Sequence, residues 1–169
     1  HCTVECEPRL ASVFARSFPN ATVVGNPDLT YAATAPEGFD YQIAAGSLGR
    51  YTRSSIADFP SHAGHLRADA AKTAAIRARY EDMARGRRIV GLSWRTVMGK
   101  QGITQAKSAD ILDLAPILRT EGSMFVNLQY GDCRADLARV KKQLGIEIYQ
   151  DPGVDAFADI DGLFAQVAA

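Results

Sequence analysis

Arg88-Ile-Val-Gly-Leu-Ser-Trp-Arg95 passes from an unbroken apolar core, Ile89 to Leu92, into polar, loop-forming residues. A short apolar run without alternation reads as a parallel strand buried on both faces. Met124-Phe-Val-Asn-Leu128 repeats that pattern and ends in Gln129-Tyr-Gly-Asp132. Ile146-Glu-Ile-Tyr149 reads as a third strand, broken by Asp151-Pro-Gly153. Between the strands lie two helical segments. Residues 109–119 follow Ser108 as N-cap and turn Ile111, Ala115 and Leu118 inward. Residues 133–144 are capped by Asp132, turn Leu137, Val140 and Leu144 inward, and stop at Gly145. The order β-α-β-α-β predicts an α/β fold, the Rossmann-like half of a doubly wound nucleotide-binding domain, incomplete over residues 86–169.

Moving outward, Asp69 to Arg85 predicts a helix with Asp69 as N-cap, an Ile76, Tyr80 and Met83 stripe, and Gly86 at its end. Residues 25–67 keep no period. They scatter Tyr31, Phe39, Tyr41, Tyr51 and Phe59 among Gly, Pro, Ser and Asp, and read as a linker or an inter-domain crossing that packs through its aromatics. Residues 1–24 read as a βαβ-like remnant: a strand over 2–6, a helix over Pro8 to Ser17, and a strand over Ala21 to Val24. The chain opens directly in a strand-like run and closes in an apolar helical pattern without a C-cap, so a piece of a larger protein is expected.

The 169 residues suffice for one ordinary domain or parts of two. An apolar fraction of 47% with 22% charged residues is that of a soluble globular chain. Balanced charge, 19 basic against 19 acidic, gives no reason to expect nucleic acid as partner, so any anion site must be local. No apolar run approaches the roughly 20 residues that span a bilayer. His1 to Glu5 lack the basic-then-apolar pattern of a secretory signal. The cysteines, Cys2, Cys6 and Cys133, are too few and too uneven for a disulfide framework, which favours a reducing, cytoplasmic setting. Cys2 and Cys6 have no cluster of further ligands, so no metal site is expected. They are expected to share one strand face and pack as small apolar residues.

In open α/β sheets ligands bind at the carboxyl ends of the strands. The loop from Ser93 to Lys107 lies there, and Trp94 follows Ser93 at its start. It carries Ser93, Arg95, Thr96, Lys100, Thr104, Gln105 and Lys107, with Gly99 and Gly102. Arginine forks, lysine charges and the N–H groups at a helix start suit a diphosphate. The pattern is neither Walker A nor G-x-G-x-x-G, and a plain solvated basic loop is the competing reading. At the second tip, Gln129-Tyr130-Gly131, the glycine permits close backbone approach and the tyrosine offers a flat face to a base or ribose. An ordinary turn would read the same way. Trp94 could wall this cleft or pack against the crossing segment. His62, in Ser61-His-Ala-Gly-His65, is an outside candidate for catalysis. Asp151 and Asp155 read as turn and helix-start residues rather than paired catalytic acids. No nucleophile–base pair is visible.

Seven short motifs, in order, carry a resemblance: Glu5-Cys-Glu-Pro-Arg-Leu10, Phe14-Ala-Arg-Ser-Phe-Pro19, Gly46-Ser-Leu48, Leu66-Arg-Ala-Asp69, Gly91-Leu-Ser-Trp-Arg95, Asn127-Leu-Gln-Tyr-Gly-Asp-Cys133 and Asp151-Pro-Gly-Val-Asp155. Together they resemble bacterial glycosyltransferase-like regions that follow tetratricopeptide repeats, relatives of protein O-GlcNAc transferases and, more distantly, heptosyltransferases. The resemblance implies a GT-B architecture of two Rossmann-like domains. Residues 1–24 would be the tail of the first, 25–85 the inter-domain crossing and helix, and 86–169 the opening of the donor domain. It also implies a nucleotide-sugar donor, expected to be a UDP-sugar, with a hydroxyl acceptor, expected on a protein, and no metal. Ser93, Trp94 and Arg95 would sit near the diphosphate, Lys107 would match a basic position just before the following helix, and Gln129, Tyr130 and Gly131 would sit near the nucleotide. Thr96-Val97 replaces the family's glycines after Ser-Trp-Arg. The chain also stops before the family's Asp-, Thr- and His-rich donor loop, so the isolated chain is expected to be inactive.

The leading expectation is part of an inverting glycosyltransferase in which Arg95, Lys100 and Lys107 stabilise the leaving diphosphate. The alternative is a non-catalytic binding or scaffolding domain that keeps the Rossmann-like fold. A flavodoxin-like or receiver domain fits βαβαβ but leaves residues 25–85 unexplained. Open sheet edges would permit a homo-oligomer.

Overall fold

A computed structural model describes residues 1–28, 37–61, 64–96 and 107–169. They form two compact units, His1–Arg67 and Ala68–Ala169.

In the first unit β1 (Thr3–Cys6) and β2 (Thr22–Gly25) pair in parallel, with Thr3 beside Thr22 and Cys6 beside Gly25. A 3-10 turn, Pro8–Leu10, leads into α1 (Ala11–Ser17) between them. Proline suits that first turn because its fixed φ is helical and its missing N–H would have no partner there. Val13 and Cys6 are buried, whereas Cys2 precedes the strand and is exposed. The expectation that both cysteines pack on one strand face is corrected accordingly.

Residues 37–61 form only brief turns: Ala45–Ser47, α2 (Gly49–Thr52) and Ile56–Asp58. The expectation that this segment packs through its aromatics is also corrected. Tyr41 is 92% exposed, and Phe39, Tyr51 and Phe59 lie at the surface with it. Turns of three or four residues present no continuous apolar face on which such rings could be buried. Tyr31 lies outside the described residues.

The second unit is a mixed α/β layer structure with parallel strands. β3 (Arg88–Leu92), β4 (Ser123–Asn127) and β5 (Ile148–Tyr149) pair in that order. Arg88 lies opposite Ser123, and Phe125 opposite Ile148. Side chains along a strand alternate between faces, so one β4 face sends Phe125 into a core with Leu92, Trp94, Ile111, Leu118 and Val140. The other face sends Met124 and Val126 into a core with Ile76, Tyr80, Ala84 and Ala165. The first core is covered by α5 (Arg134–Leu144) and the segment before β4. The second is covered by α3 (Ala70–Ala84) and α6 (Ile160–Ala168). Both crossovers therefore lie on one face, and the chain changes face after β5.

Several helix boundaries differ from the sequence expectation for local reasons. The helix expected over 109–119 is a 3-10 turn, Ile111–Leu114, followed by α4 (Ala115–Leu118). Pro116 has no N–H to give to Leu112, so a continuous helix is interrupted there. Its cap is Asp110, which accepts from Leu112 N–H at 2.9 Å, while Ser108 Oγ accepts from Thr96 N–H instead. α3 ends on Arg85 in the left-handed region at φ 50°, ahead of Gly86. The strand expected over 146–149 is only Ile148–Tyr149. Asp69 caps α3 through Lys72 N–H at 2.8 Å, and Gly145 ends α5 at φ 70°, both where the sequence puts them.

Candidate functional site

The carboxyl ends of β3, β4 and β5 bring together three loop starts: Ser93–Thr96, Leu128–Cys133 and Gln150–Asp155. Gln129 organises the first two. It is 3% exposed. Its Oε1 accepts from Trp94 N–H at 3.0 Å, Arg95 N–H at 2.9 Å and Ser93 Oγ at 3.3 Å. Its Nε2 donates to the carbonyls of Arg95 and Tyr130 at 2.9 and 3.0 Å. The carboxamide thus substitutes for missing strand partners just past the end of the β3–β4 ladder. Its polar atoms are engaged with the loop rather than turned to a ligand.

Arg95 stands over the start of α5. Its Nε donates to Asp136 Oδ2 at 3.0 Å and its Nη2 to the carbonyl of Asp132. Trp94 is 5% exposed in the first core, and its Nε1 reaches the same Asp136 oxygen at 3.2 Å. The indole is therefore a packing residue whose one polar atom helps to hold the carboxylate that holds Arg95. Neighbouring charges are paired too. Arg134 bonds both oxygens of Asp132 and holds that carboxyl well below the usual range, and Arg139 bridges Asp110 and Asp136. The Asp132 carboxylate also takes Arg134 N–H at 3.1 Å, so it bonds the first turn of α5 although Cys133 is the boundary residue. Lys107 is exposed. Lys100, Gly99, Gly102, Thr104, Gln105 and Val97 lie outside the described residues, as does His62.

The second and third loops enclose a pocket of about 280 Å3. Tyr130 and Gly131 line one side, Gln150 and Pro152 another, and Gln166 comes up from α6. Asn127, buried at the tip of β4, ties the walls together. Its Nδ2 donates to Gln150 Oε1 and to Cys133 Sγ, and its Oδ1 accepts from Gln129 N–H at 2.9 Å. A larger surface hollow of about 400 Å3 lies at the opposite, amino end of the strands, between Gly86–Arg88 and Thr120–Ser123. It lacks the convergent buried side chains of the carboxyl-end pocket.

Under the pocket runs a buried polar relay that the sequence did not reveal. Asp151 is 2% exposed. Its Oδ2 accepts from Tyr80 Oη at 2.7 Å and from Arg79, and its Oδ1 accepts from Gly153 N–H at 2.9 Å. Burial pushes the Asp151 carboxyl upward, but the bonds from Tyr80, Gly153 and Arg79, with the guanidinium charge, outweigh it and hold it below the usual range. Burial, reinforced by the bond to Asp151, pushes the Tyr80 phenol well above its ordinary value, so it stays protonated. Gln166 Nε2 then donates to Tyr80 Oη at 2.8 Å. Asp151 is thus a buried hub as well as the turn residue expected. Asp155 accepts from the N–H groups of Phe157 and Ala158, as a turn residue does. The available sequence signal was a glutamine on the buried Gly162, Ala165 and Gln166 stripe of an apolar helix.

The chain is 36% identical over 173 aligned residues to Protein FlbA of Caulobacter vibrioides, covering 96% of this chain and 28% of that protein. It thus spans less than a third of that relative's length. No family model matches the chain. No solved structure matches it either. Among the described residues no helix is long and apolar enough to cross a membrane.

Proposed function

We propose that this chain is part of a glycosyltransferase of GT-B architecture, related to the tetratricopeptide-associated enzymes and protein O-GlcNAc transferases. It would move a sugar from a nucleotide diphosphate donor, a UDP-sugar, to a hydroxyl acceptor on a protein. The observation that carries this reading is the pocket where the chain changes face after β5, at the carboxyl ends of the parallel strands, with Arg95 near the adjoining tips. That is where α/β sheets take nucleotides. Tyr130 and Gly131 would face the nucleoside. Arg95, with Lys107 and Lys100, would face the diphosphate, whose charge grows as the sugar leaves. Ser93 and Trp94 shape the loop, and Gln129 positions it. No metal is invoked, because side-chain cations supply the charge. His62 stays a candidate base.

Titrating the intact protein with uridine diphosphate tests the donor site, and micromolar to millimolar binding is expected. Arg95→Ala should weaken that binding about tenfold, the loss of one charge-assisted contact. Unchanged affinity would remove the diphosphate role of this loop.

The second reading, a non-catalytic binding or scaffolding domain, draws on one observation. The Arg95 guanidinium is already satisfied by Asp136 and the Asp132 carbonyl, so an arriving diphosphate must displace an ion pair. Donor binding without turnover on any protein acceptor would favour it.

A further inference from the structure

The relay beneath the pocket fixes which atom of Gln166 faces outward. Asp151 is an ionised carboxylate and can only accept. Tyr80 must therefore give its single hydroxyl proton to Asp151, which leaves its oxygen as an acceptor. Gln166 must then turn its NH2 toward Tyr80, so its carbonyl oxygen is the atom left for the pocket. An isolated amide could flip, but the chain from Arg79 through Asp151 and Tyr80 removes that choice.

Gln166 is 5% exposed and lines the pocket. Its Oε1 has no hydrogen-bond partner among the described residues. No fully buried side-chain polar atom is left unpaired among them, so this oxygen reaches the open pocket. An acceptor held in one orientation at a pocket wall discriminates strongly, because a ligand that covers it without a matching donor leaves it desolvated and unpaired. The pocket lining is mixed, with the polar Asn127, Gln150 and Asp155 beside surfaces on which a flat ring can rest. Tyr130 and Pro152 supply faces, and Val154 and Ala156 add apolar surface.

We propose that Gln166 is a specificity-determining residue of this pocket, selecting the nucleotide base by accepting a hydrogen bond from an N–H on its edge, with Tyr80 and Asp151 as positioning residues that hold its orientation. This rests on the donor-site reading above.

The test is the affinity of the intact protein for uridine, cytidine, guanosine and adenosine diphosphates, with 2′-deoxyuridine diphosphate as control for the ribose. The unaltered protein should prefer one base by about tenfold or more, and removal of the 2′-hydroxyl should not change the dependence on Gln166. Gln166→Leu keeps the size, removes the acceptor, and should collapse the preference to less than about threefold. Tyr80→Phe leaves Gln166 in place but frees its amide to turn. It should narrow the preference while retaining diphosphate binding. Should Gln166→Leu fold poorly, Tyr80→Phe alone decides the matter. Loss of affinity by the same factor for every base, or an unchanged preference in both variants, would overturn the role of Gln166 and leave the donor site standing. Absence of binding by all the nucleotides would overturn both.

Discussion

At the scale of the residue, the site is held by side chains that bond to the protein itself. Gln129 replaces backbone partners for Trp94 and Arg95 just where the strand ladder stops. Gln129→Ala leaves those N–H groups without acceptors, and the Trp94 N–H is buried. Urea unfolding should show a loss of about 2–3 kcal/mol. Asp151 behaves differently because it is charged. Its folded-state pKa lies below the unfolded value, so it adds stability above about pH 4 that is lost as pH falls through the folded value. Asp151→Asn should cost about 1–3 kcal/mol at neutral pH, discounted because Arg79 is partly exposed. It should also flatten the acid limb of a stability-against-pH curve. The sequence drew attention to Gln129 as a strand-tip residue but not to its structural use. A glutamine that binds a ligand and one that binds a loop have the same chemistry and spacing. The relay was harder still to read, because Arg79, Tyr80, Asp151 and Gln166 come from three distant segments.

At the scale of the element, periodicity placed the helices and strands and local chemistry set their ends. The parallel strands β3 and β4, the stripe of α3 and the inward face of α5 were all legible. Pro116 was visible too, but the apolar spacing of Ile111, Ala115 and Leu118 outweighed it, although a missing N–H interrupts a helix whatever its stripe. The expected N-cap Ser108 was displaced by Asp110, since both residue types cap well and only the position of the first turn chooses between them. The end of α3 offers a direct measurement. Arg85 adopts a left-handed conformation that glycine accepts without steric cost. Arg85→Gly should raise stability by about 0.5–1 kcal/mol by urea unfolding. A decrease would mean that the arginine side chain contributes more than its backbone strain costs.

At the scale of the whole molecule, the units differ in what they can support alone. Ala68–Ala169 owns a three-stranded sheet with a core on each face, and a fragment of that span should unfold in one cooperative transition when heated. His1–Arg67 owns a two-stranded sheet with Val13 and Cys6 beneath it, too little to be stable alone, so its fragment should show no such transition. The parallel register carries a further consequence, for how quickly the chain reaches this arrangement. Arg88 meets Ser123 and Thr3 meets Thr22, so neither of these strand pairs among the described residues can be closed by a hairpin. Each pairing must close the intervening chain before its contacts form, which is expected to slow folding relative to hairpin-closed sheets. Until β4 is seated, Met124-Phe-Val126 is an uncovered apolar segment, so unfolded and partly folded chains are expected to associate through it more readily than the folded protein does.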